Sequence, residues 1–118
     1  MTIKTKRVYD PPQPDDGKRI LVDRLWPRGL SREAANIDLW VRELAPSNEL
    51  RKWYGHDPEK WEEFKSRYRA ELQVNQTHLT ALLNFIGNGR VTLLYSSKEN
   101  EINNATALRA YIEAEAGN

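Results

Sequence analysis

Two short stretches of this chain gather side chains able to hold an anion and move a proton. The first is Asp23-Arg24-Leu25-Trp26-Pro27-Arg28-Gly29, and the second is Tyr95-Ser96-Ser97-Lys98. Arg24 and Arg28 can clamp a phosphate or carboxylate with forked guanidinium donors, and the Trp26 indole between them offers a face to a flat ring. Asp23 can act as a base or orient an arginine; the competing reading is a brace in which Arg24 pairs with Asp23 or Asp10. Tyr95, Ser97 and Lys98 add hydroxyls and an amine. A third group, Arg51, Trp53 and His56, adds a cation, a second stacking surface and an imidazole suited to proton transfer. Asp23 and His56 are the candidate catalytic residues. Arg24, Trp26, Arg28, Arg51, Trp53, Tyr95, Ser97 and Lys98 are the candidate ligand contacts.

Other chemistries find little footing. The chain has no cysteine, and its two histidines, His56 and His78, stand without carboxylates at ligand spacing. No metal site is therefore predicted, and His78 reads as a surface residue. Gly87 and Gly89 precede a strand instead of following one, so no glycine-rich turn for a nucleotide cofactor is present and none is expected. Ser97 and Lys98 are adjacent, a poor geometry for a nucleophile and its base.

The elements that must position these groups read as alternating strands and helices. Ile3 to Tyr9 predicts a first strand whose weak alternation suits a sheet edge. Three prolines then make a loop that ends at Asp16-Gly17. Arg19 to Trp26 predicts a second strand, and the unbroken run Ile20-Leu21-Val22 suits burial on both faces. After Ser31, Ile37, Trp40, Val41 and Leu44 recur at helical spacing and predict an amphipathic helix. Ser47 is a cap for a helix through Trp53, closed by Gly55. Asp57-Pro58 opens a longer helix with Trp61, Phe64, Tyr68 and Leu72 on one face. Leu79, Leu82, Leu83 and Ile86 mark another, ended by Gly87-Asn88-Gly89. Arg90 to Tyr95 predicts the last strand, and Asn103 or Asn104 caps a final helix carrying Leu108, Tyr111 and Ile112. This pattern predicts an α/β fold: a small layered domain with a short, mostly parallel sheet flanked by helices. Ligands bind such sheets beyond the carboxyl ends of the strands, where both polar stretches fall.

Composition sets the outer bounds. At 118 residues, with 39% hydrophobic and 30% charged residues, the chain predicts one globular domain and excludes a disordered one. The net charge of +1 disfavours a basic nucleic-acid coat, although residues 1–30 carry seven Lys and Arg against four Asp. No apolar run approaches the roughly 20 residues of a membrane span, so a soluble, cytoplasmic protein is expected. Four tryptophans stand against two phenylalanines. Trp40 and Trp61 fall on amphipathic helical faces and read as core. Trp26 and Trp53 fall at element ends beside arginine and histidine and read as functional.

An ordered set of blocks runs the length of the chain. It comprises Arg7-Val8-Tyr9-Asp10, Asp16-Gly17, the run from Arg19 to Gly29, Leu44-Ala45-Pro46-Ser47, Leu50-Arg51-Lys52-Trp53 and Gly55-His56-Asp57. Trp61-Glu62-Glu63-Phe64, Tyr68, Glu71-Leu72, Leu94-Tyr95 and Asn103-Asn104-Ala105 complete it. With these blocks the chain resembles the YeaO-like bacterial proteins, a domain family of unknown function. It departs from that pattern at Asn104, where relatives often carry histidine. The resemblance implies a small bacterial α/β domain and assigns no reaction. The expectation from the residues is a pocket at the carboxyl edge of the sheet for a small anionic, ring-containing ligand such as a nucleotide or nucleobase derivative. Acid–base catalysis there would fall to Asp23 or His56. The alternative is a single-stranded nucleic-acid-binding module that uses arginine and tryptophan as a stacking platform.

Overall fold

The computed structural model describes residues 1–116. Its centre is a four-stranded, all-parallel sheet in the order β1-β4-β2-β3. Strand β1 spans Thr2–Arg7, β2 Lys18–Leu21, β3 Leu39–Trp40 and β4 Arg90–Tyr95. The helices are α1 (Arg32–Ala35), α2 (Asn48–Tyr54), α3 (Trp61–Gln73), α4 (Gln76–Ile86) and α5 (Asn104–Ala116). The layered α/β architecture is as the pattern of apolar runs predicts, with β1 at an edge.

Central strands explain the unbroken apolar runs. Ile20, Leu21 and Val22 in and just after β2 are fully buried, as are Val91, Thr92, Leu93 and Leu94 in β4. Successive side chains point to opposite faces of a sheet. Ile20, Val22, Val91, Leu93 and Tyr95 accordingly join the large core that α2 to α5 cover, with Phe64, Tyr68, Leu72 and Leu108. Val8, Leu21 and Leu94 face the other way and meet Trp26, Leu30, Ile37 and Trp40.

Two boundaries differ from the sequence reading. The helix expected over Ile37, Trp40, Val41 and Leu44 is absent. The segment instead forms the four-residue α1, the short β3 and a 3-10 turn over Arg42–Leu44. The open edge of β2 needs backbone partners, and Asp38 and Val41 supply them by donating to the carbonyls of Arg19 (2.8 Å) and Leu21 (2.9 Å). Trp40 and Val41 therefore do not share a helical face. Val41 enters the large core, and Trp40 the second cluster, where it meets Trp26 edge-on at 5.5 Å. Strand β2 also stops at Leu21, well short of Trp26, although Val22 still donates to Leu94. Asp23 to Leu25 then bend away from the sheet.

Local capping follows the sequence closely. Ser47 accepts from Leu50 at the start of α2 and donates its own main-chain N–H and hydroxyl to Glu71, fixing α2 against α3. Gly55 ends α2 in the left-handed conformation. Asp57 caps a 3-10 turn over Pro58–Lys60 that leads into α3. Gly17, between the proline loop and β2, has a φ of +66°, and a Cβ there would run into the main chain of Arg90. Gly17→Ala is expected to lower stability by about 1–3 kcal/mol in thermal or urea unfolding, from backbone strain alone.

Candidate functional site

An open cleft of about 940 Å³ lies across the carboxyl ends of β1, β4 and β2. Beyond β1 it is lined by Arg7 and Tyr9. Beyond β2 come Asp23 to Arg28, and beyond β4 the run from Tyr95 to Glu99. Helix α2 and its end contribute Arg51, Lys52, Tyr54 and His56; Phe64 comes from α3, and Ile102 to Asn104 from the start of α5. The structure thus brings Asp23, Arg24, Trp26, Arg28, Arg51, His56, Tyr95, Ser97 and Lys98 to one cleft.

Trp53 is not among them, although its place at an element end made it a stacking candidate. It packs against the large core, with Lys60 5.2 Å and Arg67 4.1 Å from its ring centroid. The end of α2 turns this indole toward α3. Trp26 lines the cleft, but its indole N–H is spent on the Leu30 carbonyl at 2.7 Å.

Asp23 is heavily engaged for a base. Its carboxylate accepts the main-chain N–H and hydroxyl of Ser96, each at 2.8 Å, and the Asn104 amide at 3.1 Å. Its carbonyl accepts the Trp40 indole N–H at 2.7 Å. These bonds join the ends of β2 and β4 to the start of α5. The expected brace between Arg24 and Asp23 or Asp10 does not form. Arg24 donates instead to the carbonyls of Ala45 (3.2 Å) and Pro46 (3.3 Å). Asn103, buried, caps α5 through Thr106 and donates to the Glu99 carbonyl, so of the two asparagines only Asn104 reaches Asp23. His56 is exposed at a φ of 57°, its ring 6.1 Å from that of Tyr54.

Electrostatics separate this cleft from the rest of the surface. Six cationic side chains line it (Arg7, Arg24, Arg28, Arg51, Lys52 and Lys98) against two carboxylates, Asp23 and Glu99. The whole chain carries only +1. None of the six is ion-paired with a carboxylate among the described residues. Three are held by neutral acceptors: Arg7 by the Ser97 carbonyl (3.1 Å), Arg24 as above, and Arg51 by the Asn48 side chain (2.9 Å). A neutral acceptor fixes the guanidinium without cancelling its charge and leaves other N–H donors free. Two phenols share the wall. Burial, then Glu99 and Asp57, push the Tyr54 pKa up, and burial, then Asp10, push that of Tyr95 up. Both remain neutral hydroxyl donors at physiological pH. Among the described residues no three His, Asp or Glu side chains converge to hold a metal ion.

Sequence reasoning missed Arg7, Tyr9, Lys52 and Asn104 as cleft residues. The strand-end rule that found Asp23 and Tyr95 applies equally to β1 and would have found Arg7 and Tyr9, whose side chains stack at 4.8 Å.

Comparison with known proteins adds a family. Residues 2–118 match the family model described as the inactive DUF488-N3 subclade. The chain is 40% identical over 114 residues to the uncharacterized protein YeaO of Escherichia coli (strain K12), covering 97% of this chain and 99% of that one. It is 43% identical over 90 residues to an uncharacterized protein of Mycobacterium tuberculosis (strain ATCC 25618 / H37Rv), covering 76% of this chain and 75% of the relative. No solved structure is similar at a significant level.

Proposed function

Since the chain belongs to the inactive DUF488-N3 subclade, a YeaO-like family without an assigned reaction, we propose that its cleft binds a small anionic nucleotide or nucleobase derivative and acts through binding, not turnover. The observation that carries this reading is the convergence of six cations, none ion-paired among the described residues, on the carboxyl ends of three parallel strands. Two features favour binding over catalysis. Asp23, the candidate base, already accepts three hydrogen bonds from Ser96 and Asn104, which leaves about one of its four acceptor sites open. The family is also described as inactive. A cytoplasmic nucleotide pool is the source this reading implies.

Thermal unfolding against a panel of mononucleotides and inorganic phosphate tests it. A ligand at a hundred times its Kd adds about 2.7 kcal/mol and raises the Tm by about ten degrees. Arg28→Ala is expected to shrink that shift. A panel with no shift, or a shift indifferent to Arg28→Ala, overturns the reading. A single nucleic-acid strand is the second reading, favoured by Tyr9 and Leu25, which stand 38% and 63% exposed at the cleft. It predicts binding that falls steeply with salt.

A further inference from the structure

The six cations fall into two groups set by the topology. Strands β1 and β2 are separated by β4, so their axes lie about 9–10 Å apart at the usual strand spacing. Leu94 pairs with both Lys6 and Leu21, which places Arg7 level with Val22 across the sheet. Arg7 is drawn to Ser97, next to Lys98, and Tyr9 donates to the Arg28 carbonyl at 2.8 Å, bringing the Arg28 backbone to the β1 side. Arg24 is drawn instead to Ala45 and Pro46, the chain leading into α2, which carries Arg51 and Lys52. Between the groups sits Asp23, tied to Ser96 and Asn104. A carboxylate there repels a third anion and favours an uncharged part of the ligand.

Resting on the nucleotide reading above, we propose that the cleft holds two anion subsites, Arg7/Arg28/Lys98 and Arg24/Arg51/Lys52, and takes a nucleoside flanked by two phosphates. The flanked nucleoside can be free or part of a nucleic-acid strand. A diphosphate carries similar charge on adjacent phosphorus atoms and fills one subsite only.

Calorimetry on the full chain with AMP, ADP and adenosine 3′,5′-bisphosphate tests this. The bisphosphate is expected to bind about tenfold more tightly than ADP, because only it gains charge-assisted bonds in both subsites. Arg7→Gln and Arg51→Gln are each expected to abolish that preference. Among the described residues the Arg51 side chain bonds only Asn48, on its own helix, so the second variant tests the idea without endangering the fold. Equal affinity for ADP and the bisphosphate overturns the two-subsite proposal and leaves the nucleotide reading standing. Failure of all three to bind overturns both. A short 5′-phosphorylated oligothymidylate identifies the source: tighter binding than the bisphosphate with a steeper salt dependence assigns a strand, and weaker binding assigns the free nucleotide.

Discussion

Replacing Asp16 by alanine is expected to destabilise the protein by about 3–5 kcal/mol, the range for breaking a buried ion pair from one side. Asp16 is 1% exposed and Arg19 is 2% exposed. The Arg19 guanidinium meets the carboxylate at 2.5 Å, Lys6 at 3.2 Å and Lys4 at 3.6 Å. Lys4, Thr92 and Arg19 are paired neighbours across β1, β4 and β2, a polar row on the sheet face away from the large core. Thr92 donates to the Asp16 carbonyl at 2.7 Å, so the row holds the proline loop by main chain and side chain together. Without the carboxylate, Arg19 keeps only its bonds to the carbonyls of Ala35 and Asn36. Its charge is then buried without a counter-ion. Urea unfolding checks the loss. Asp16→Ala with Arg19→Met should recover much of it by removing the orphaned charge, and a single-variant loss below about 1 kcal/mol would refute the account.

The same carboxylate sets an acid limit. Burial alone would raise its pKa, but hydrogen bonds from the Gln13 main chain, Lys6 and Arg19, with the Lys6 charge, override this and hold it below the ordinary aspartate range. A folded pKa below the unfolded one means the stabilisation is complete above the unfolded value and disappears as pH falls through the folded one. Wild-type stability should therefore drop more steeply below about pH 4 than that of Asp16→Ala.

How far the sequence could be read depended on whether local chemistry or a distant partner decided each segment. Ser47, Gly55 and Asp57 cap their turns by bonds within a few residues, and α2 and the start of α3 fall where those residues place them. The apolar run of β4 needed only burial. Ile37 to Leu44 went otherwise because the buried edge of β2, some twenty residues away in sequence, has carbonyls that this segment pairs, a demand that a helix, bonded to itself, would leave unmet. The weak alternation of β1 had a similar origin. Lys4 is held by Asp15 and Asp16, and Lys6 by Asp16, across a loop, a pairing that hydrophobic periodicity cannot register. In the cleft, the strand ends of β2 and β4 were visible as polar runs after apolar ones. That of β1 was hidden because its strand was already polar. The role of Asp23 was hidden too, since its partners Ser96 and Asn104 lie more than seventy residues further on.

Phe64→Ala is expected to cost about 3–5 kcal/mol, as for other buried aromatic truncations. Phe64 is fully buried. Its ring stacks on Tyr54 at 4.4 Å and on Trp61 at 5.6 Å, and lies 5.9 Å from Tyr68. It also borders the cleft from beneath, so truncation leaves a void next to it. Phe64→Leu keeps much of the volume and should cost less. The pair separates two supports for the site. Tyr54 ends α2, which carries Arg51 and Lys52, and the Phe64 stack is the packing beneath it. If that stack positions α2, Phe64→Leu should weaken nucleotide binding at a temperature where the variant is fully folded. If binding is unchanged while unfolding shifts, the cleft's charges are fixed by their own acceptors, Asn48 for Arg51 and the Ala45 and Pro46 carbonyls for Arg24. The aromatic stack then supports the fold alone.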